Sequence, residues 1–298
     1  MSNPTGRALK KVLRNPVALG ALAVLLVLSV ASVVGPMLLP ESYGEPSEAS
    51  FVAPCWVHPF GTDINGRDIF YRVLSGGRVS LLVGICGAGV SLVLGTLYGL
   101  VAGYVGGRVD AAMMRLVDIF YSIPRLVFIL VCINAFDRRL QEFAFSMGWD
   151  WLVDSSRLAV LVVSLGCIEW LTLARIVRGQ TLALRERQFV MAARALGQSH
   201  VKILFRHILP NMAGVIVIYL TLTIPAVIID ESFLSFLGLG VQAPQSSWGS
   251  LLADGAGVLN PVKIHWWLIV FPAGTMALAL LALNFLGDTL RDIFDPRR

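Results

Sequence analysis

The sequence predicts an all-α integral membrane protein with six transmembrane helices. Of the 298 residues, 56% are hydrophobic and only 14% are charged, whereas soluble domains carry roughly a quarter charged residues. Apolar stretches of the length that crosses a bilayer, about 20 residues, recur along the chain. The polar segments between them alternate between acidic and basic or balanced. Because loops rich in Lys and Arg stay in the cytoplasm, this alternation predicts that both termini are cytoplasmic.

The first quarter of the chain divides by composition. Residues 1–16 carry four basic residues and no acid, and we expect them to be a cytoplasmic N-terminal segment. Residues 17–39 are almost wholly apolar and predict the first transmembrane helix. Residues 40–77 hold five acids against two arginines, which predicts an extracytoplasmic loop. The remaining residues, 78–298, are expected to form a five-helix core.

Small residues mark the second predicted span, Ser80 to Tyr104. It contains several glycines, and Gly95 and Gly99 have the GxxxG spacing. Small residues let helices approach closely in lipid, where packing drives association. In a glycine-rich chain this spacing is a weak signal.

Charges inside the third predicted span, Ala112 to Ala135, suggest a functional role. Asp118 and Arg125 are seven residues apart and are expected to share a helix face. A charge within a membrane usually faces protein or a water path. Either residue could line a translocation path, and the alternative is a structural ion pair or snorkelling. Pro124, between them, predicts a kink.

The remaining spans follow from the same two signals, hydropathy and loop charge. A second acidic loop, residues 136–156, is expected outside, and the basic loop 179–211 is expected in the cytoplasm, because it has five Arg or Lys against one Glu. A polar segment at 239–262 is also expected outside. The fourth, fifth and sixth spans are predicted at 158–176, 213–237 and 266–285.

Two adjacent acids stand in the outer part of the fifth predicted span. Asp230 and Glu231 would be costly in lipid unless they meet water or partners. We expect them to lie in the outer vestibule of a path. The alternative is that they cap or pair with a neighbouring helix.

Within the basic loop, segment 188–210 has the pattern of two short helices separated by a glycine. Its first part consists mostly of good helix formers, and Gly197 stands where a helix C-cap glycine belongs. Ser199 can cap a second helix over 201–209, which Pro210 would end.

The second of these helices is predicted to be amphipathic. Its apolar residues fall at helical spacing, with Lys202 and Arg206 off the stripe. Such a helix could insert into a groove of a partner protein, or it could rest on lipid headgroups. The apolar stripe consists of Val201, Leu204, Phe205 and Ile208.

Several chemistries find no support in the sequence. None of the four lysines precedes Ser or Thr, so the P-loop signature GxxxxGK[ST] does not occur and we expect no cofactor in this chain. The His and Cys residues lack metal-ligand spacing, and no basic run with interleaved aromatics points to nucleic acid. Three classes stay open: a transport subunit driven by ATPases on other chains, a stand-alone secondary transporter or channel, and a membrane scaffold.

A family resemblance favours the first class. The spacing of Ala192-Ala193, Gly197 and Leu209-Pro210 is similar to that of the EAA loop of ATP-binding-cassette (ABC) importer permeases. Met191 departs from the pattern, because the family usually has Glu there. Further blocks resemble the shorter permease of the dipeptide/oligopeptide transport family: His58–Asp63 with Gly66–Asp68, Ser235–Gly240, Ser247–Gly249, Asn284–Asp288 and Asp295-Pro296.

The resemblance implies a fold and a set of partners. The fold would be that of a type I ABC importer permease, whose cytoplasmic loop 188–210 docks separate ATPases. Such a chain is not an enzyme; two ABC ATPase subunits use ATP and Mg. It pairs with a second, homologous permease in the bacterial cytoplasmic (inner) membrane and receives di- or oligopeptides, or a related small solute, from an extracytoplasmic solute-binding protein. The implied coupling residues are Met191, Ala192, Ala193, Gly197, Leu209 and Pro210.

Overall fold

A computed structural model describes residues 15–40, 43–243, 245–259 and 263–294 of the chain. The basic segment before Asn15 and the Asp295-Pro296 block lie outside these residues. The described part is helical and contains no β-strand. Its α-helices are α1 (Pro16–Leu38), α2 (Ile69–Val105), α3 (Gly107–Ser122), α4 (Arg125–Ser146), α5 (Asp150–Arg185), α6 (Gln188–Ala195), α7 (His200–Ile203), α8 (Leu209–Asn211), α9 (Ala213–Phe236), α10 (Trp248–Gly257) and α11 (Trp267–Phe294).

Within the described residues, five helices are long and apolar enough to cross a membrane: α1, α2, α5, α9 and α11. The pair α3 and α4 supplies a sixth span if the two helices count as one, although they are bent by 91° at their junction. The predicted class, an all-α membrane protein with six spans, is confirmed at this level. The first predicted span, 17–39, agrees with α1 to within one residue at each end.

The third predicted span is broken rather than kinked, so the expectation of one helix from 112 to 135 is wrong. Helix α3 ends at Ser122, and Ile123 is extended with φ −82° and ψ 127°. Pro124 then serves as the N-cap residue of α4. Proline disfavours the helical conformation in the residue before it and has no N–H to donate. Both effects act at this junction and separate the two helices.

Helix α2 begins earlier than predicted. It starts at Ile69, inside the segment expected to be a loop, because the Asp68 carboxylate accepts a hydrogen bond from the Tyr71 amide at 2.9 Å. This is an N-terminal cap. Its 37 residues make it about 55 Å long, which exceeds the apolar thickness of a bilayer. Hydropathy alone therefore located only the most apolar part of this helix.

Two segments predicted as outside loops are partly or largely helical. In the 136–156 segment, α4 continues to Ser146 and α5 begins at Asp150, with Gly148 at φ 70° making the turn between them. The 239–262 segment contains α10. There, Ser247 and Ser250 exchange side-chain and backbone hydrogen bonds in a reciprocal capping box.

The chain divides into two compact units. The first comprises 1–85 and 225–289, and the second comprises 86–224 and 290–298. A buried cluster of the first unit consists of Ile69, Val73, Leu251, Trp267 and Leu268. A buried cluster of the second consists of Leu100, Tyr104, Leu173, Val177, Val190, Ala193, Ile203, Ile208 and Met212.

Glycines set the spacing between α2 and α5 in the second unit. A Cβ at Gly95 would lie 2.9 Å from the Trp170 carbonyl oxygen, and one at Gly103 would lie 2.7 Å from the Arg178 carbonyl oxygen. Gly99, between them, is closer still, because a Cβ there would lie 2.5 Å from the Ala174 carbonyl oxygen. The three glycines recur every four residues and so form one face of α2. The close helix approach that the GxxxG spacing suggests is therefore present.

Candidate functional site

The first half of segment 188–210 has the predicted shape of a helix that ends at a glycine. Helix α6 ends at Ala195, and Gly197 has φ 69° in the left-handed region. The Gly197 amide donates to the Arg194 carbonyl at 2.9 Å, and the Gln198 amide donates to the Ala193 carbonyl at 3.1 Å. These two bonds make a Schellman motif, which needs a left-handed residue at this position.

The second half begins as predicted and ends differently. The Ser199 hydroxyl accepts a hydrogen bond from the Lys202 amide at 3.4 Å and caps α7. The backbone then passes through a π-helical turn, Leu204–Ile208, into α8. Pro210 lies within α8, so the prediction that it ends the helix is wrong. The π turn has wider i→i+5 hydrogen bonding, and the helical path continues to Asn211.

The buried face of the segment also differs from the predicted stripe. Ile203 and Ile208 are fully buried in the second unit's core, whereas Val201 is 65% exposed and Phe205 is 51% exposed. The π turn changes the angular spacing of side chains, so a regular 3.6-residue period does not identify the inward face. The segment is thus anchored by one apolar face and presents a second one outward.

The six predicted coupling residues have distinct positions. Ala193 is buried against the core, and Leu209 is half-buried beside it. Met191, at the position where Glu is usual, is 52% exposed. Ala192, Gly197 and Pro210 are exposed. The outward apolar surface of the segment comprises Phe189, Met191, Leu196, Val201 and Phe205.

Tyr104 connects the end of α2 to this segment, and no sequence pattern pointed to this residue. Its hydroxyl lies 2.8 Å from Nδ1 of His200. The guanidinium of Arg194 lies over its ring, 5.0 Å from the ring centre, which is a cation–π distance. Nearby, Arg185 donates to the Gly103 carbonyl at 3.1 Å. Tyr104 thus contacts both helical parts of the segment.

Acid–base pairs link α3 and α4 to α5. Arg175 Nη2 donates to Asp118 Oδ1 at 2.6 Å, and Arg125 donates to Glu169. A further pair, Arg178 with Asp110, is bidentate, with Nη2 lying 2.6 Å from Oδ2. A bidentate pair fixes both distance and orientation.

Asp118 and Arg125 do not share a helix face, so that prediction is wrong. They lie on α3 and α4, which the break at Pro124 separates. The structure places each in an ion pair with α5, which was the alternative considered for them. The sequence does contain one signal for these pairs. The charged residues of α3 and α4 meet their partners on α5 in the reverse order along the chain, which is the order that antiparallel helices require.

Glu231 is fully buried in the first unit. Its carboxylate accepts hydrogen bonds from Ser80 on α2 at 3.1 Å and from Ser235 on its own helix at 2.7 Å. The Ser80 oxygen also accepts the Trp248 amide of α10 at 3.2 Å. Glu231 therefore joins α2, α9 and α10 through hydroxyl groups. Asp230, beside it, is half-buried.

Comparison with known proteins gives two family matches. Residues 95–298 match the model described as "Binding-protein-dependent transport system inner membrane component". Residues 3–54 match the model described as "N-terminal TM domain of oligopeptide transport permease C". The first match covers both the glycine face of α2 and the whole of segment 188–210.

Curated relatives align over almost the full chain. The oligopeptide transport system permease protein OppC of Haemophilus influenzae is 40% identical over 97% of this chain and 88% of its own length. OppC of Escherichia coli is 42% identical over 97% of this chain and 90% of its own. The dipeptide transport system permease protein DppC of Bacillus subtilis is 38% identical over 98% and 86%. The chain belongs to the family of inner membrane components of binding-protein-dependent transport systems.

Proposed function

We propose that this chain is a permease subunit of an ATP-driven importer for di- or oligopeptides. The relatives named above are permease proteins of oligopeptide and dipeptide transport systems, and the alignment covers nearly all of both chains. The family membership favours a transport subunit over a stand-alone secondary transporter, channel or scaffold.

One structural observation carries the proposed mechanism: segment 188–210 is fixed on one side and apolar on the other. Ile203 and Ile208 anchor it in the core, while Leu196 is 80% exposed and Val201 is 65% exposed. Exposed apolar side chains on a structured helical projection are typical of a protein-docking surface. We propose that ATPase subunits bind this surface.

The packing of the segment against α2 and α5 suggests how a displacement of the segment is transmitted to the membrane helices. Val190 and Ala193 of α6 pack in the same cluster as Leu100 on α2 and Leu173 on α5. Packed cores move as units rather than deform continuously. Closure of two ATPases would therefore displace the segment and these two helices together.

In this proposal, the charges of the loops determine which side of the membrane each loop faces. The basic loop that contains the segment would face the cytoplasm, together with both termini, and the acidic loop at 40–77 would face outside. A solute-binding protein would deliver peptide on that outer side. A second permease would complete the pathway, and Asp118, Arg125, Asp230 and Glu231 stay candidates for lining it.

Affinity purification of the chain from native membranes, followed by mass spectrometry, tests the proposal. We expect a second permease and ABC ATPase subunits to remain bound, and the purified assembly in proteoliposomes to take up a labelled peptide when ATP and binding protein are supplied. Recovery of the chain alone, or peptide uptake that proceeds without an ATPase, would contradict it.

A further inference from the structure

A polar cavity of about 480 Å³ lies in the first unit, at the start of α2. The loop before α2, helix α10 and the segment after α9 contribute to its wall. Its volume falls within the range of small-molecule sites, about 300–1,000 Å³. The polar lining includes Asp63, Arg67, Arg72, Gln242, Gln245 and Asp254.

Both acids of this lining, Asp63 and Asp254, are paired with Arg72. Its Nη1 donates to Asp63 Oδ2 at 2.8 Å, and its Nη2 donates to Asp254 Oδ2 at 2.9 Å. Asp63 is 6% exposed, and it also accepts the Asn65 and Arg67 amides at 2.8 and 2.9 Å. This network fixes the loop against α10, so the cavity wall is preorganised.

Arg67 is different, because it lines the same cavity and one nitrogen of its guanidinium group makes no hydrogen bond to a described residue. Its Nε is buried and has no hydrogen-bond partner among the described residues. A buried donor left without a hydrogen-bond partner destabilises a fold, so a ligand that supplies an acceptor is favoured. The guanidinium presents its donors in a planar fork that matches a carboxylate.

We propose that this cavity binds the carboxylate end of a small zwitterionic peptide, with Arg67 as the residue that holds the carboxylate. Arg67 and Arg72 are balanced by Asp63 and Asp254, so the charged lining is formally neutral. A neutral lining favours a zwitterion over a multiply charged anion. Asp254, which keeps 56% of its side chain exposed, provides the negative charge that an ammonium group would face.

The inference rests on the proposed function for the identity of the ligand. The loop that supplies Arg67 is acidic and is expected on the outer side of the membrane. A peptide released there by a binding protein would meet this cavity before entry. The cavity would then act as a weak receiving site on the permease itself.

Saturation-transfer NMR on the assembled importer in lipid nanodiscs tests the site, with tri-alanine and tri-alanine amide as probes. We expect tri-alanine to bind the unmodified assembly, and the amide to bind at least about tenfold more weakly, because a charge-assisted hydrogen bond is lost. Arg67→Gln should weaken tri-alanine binding to a similar degree, and Arg67→Lys should restore part of it. Arg138→Gln is the matched control, because Arg138 is 87% exposed and outside the cavity.

Equal binding of tri-alanine and its amide, or unchanged binding to the Arg67→Gln assembly, would overturn the proposal. The carboxylate could instead come from an acidic side chain of the binding protein. If Arg67→Gln weakens docking of the binding protein while tri-alanine fails to bind the unmodified assembly, the peptide site is wrong and the docking contact replaces it. Co-purification with ATPases tests the proposed function, and tri-alanine binding tests the cavity. An intact assembly that does not bind tri-alanine therefore refutes only the peptide site.

Discussion

The hydroxyl of Tyr104 lies 2.8 Å from Nδ1 of His200, so the end of α2 is hydrogen-bonded to the second helical part of the coupling segment. The guanidinium of Arg194, from the first helical part, lies over the Tyr104 ring, 5.0 Å from the ring centre. Tyr104 is only 9% exposed. One side chain therefore joins a helix long enough to cross the membrane to both halves of the segment that we propose binds the ATPases.

Tyr104→Phe should reduce coupling without preventing assembly. The substitution removes the hydroxyl, and with it a hydrogen bond that contributes about 0.5–1.5 kcal/mol, but keeps the ring in the core. We expect peptide uptake per ATP hydrolysed to fall roughly two- to tenfold in proteoliposomes. Tyr71→Phe makes the same change on the same helix away from the segment and should behave like the unmodified protein. Equal ratios in the two variants would show that the Tyr104–His200 bond does not transmit motion.

Substitutions at Gly197 should separate backbone conformation from contact. A Cβ there would meet nothing within 4 Å, while φ is 69°. Gly197→Asn should be tolerated because Asn adopts this conformation readily, and Gly197→Ala should cost about 1 kcal/mol. Gly197→Pro cannot adopt the angle and loses the bond to Arg194, so it should uncouple uptake from ATP hydrolysis while the protein remains in the membrane. Normal uptake in the Pro variant would contradict the docking role.

The helix ends within segment 188–210 and the number of spans can be predicted from short stretches of sequence. The glycine at position 197 and the serine at position 199 specify one helix end and one helix start, and both occur where local rules place them. The number of spans follows from hydropathy, because the bilayer sets the length of an apolar helix. These features depend on neighbouring residues alone.

The features that the sequence did not reveal depend on tertiary contacts. Pro124 could kink a helix or break it, and only packing decides between the two. The inward face of the second helical part was misassigned because a π turn alters the periodicity between Ile203 and Ile208. The partners of Arg125 and Asp118 come from α5, more than 40 residues away in sequence. No pattern of neighbouring residues encodes such pairings, and only the reversed order of the charged partners on α5 indicates them.

The glycine face of α2 should tolerate no side chain at its centre. A Cβ at Gly99 would lie 2.5 Å from the Ala174 carbonyl oxygen and 2.8 Å from Cβ of Val177. Because α5 backbone atoms cannot move aside alone, we expect Gly99→Ala to lower the free energy of unfolding by about 1–3 kcal/mol. Gly89→Ala is the matched control, since a Cβ there meets nothing within 4 Å. Thermal melts in detergent that rank the two variants equally would contradict the close packing.

The charge pairs along α5 should differ in their contribution according to burial. The side chains of Asp110 and Arg178 are 11% and 34% exposed, whereas those of Asp118 and Arg175 are 65% and 46% exposed. Removing one partner of a largely buried pair leaves the other charge without a counter-charge. We therefore expect Asp110→Asn to lower the free energy of unfolding by about 2 kcal/mol. Asp118→Asn should change stability by less than about 1 kcal/mol, because water screens the exposed pair. Equal shifts in melting temperature would contradict this ranking.

The two adjacent acids of α9 should have separable effects. Glu231 is fully buried and accepts the hydroxyls of Ser80, Ser232 and Ser235. In Glu231→Gln an amide NH₂ replaces one acceptor oxygen, so at least one serine hydroxyl must turn and act as acceptor. We expect this variant to lose about 1–3 kcal/mol of stability.

Half-buried Asp230 is the better candidate for the transport path, so Asp230→Asn should alter uptake kinetics with little change in melting temperature. Melting curves and initial uptake rates, measured on both single variants, distinguish these outcomes. A stable Glu231→Gln protein with altered uptake would instead place the buried carboxylate in the transport cycle, and unchanged uptake in Asp230→Asn would remove that residue from the path.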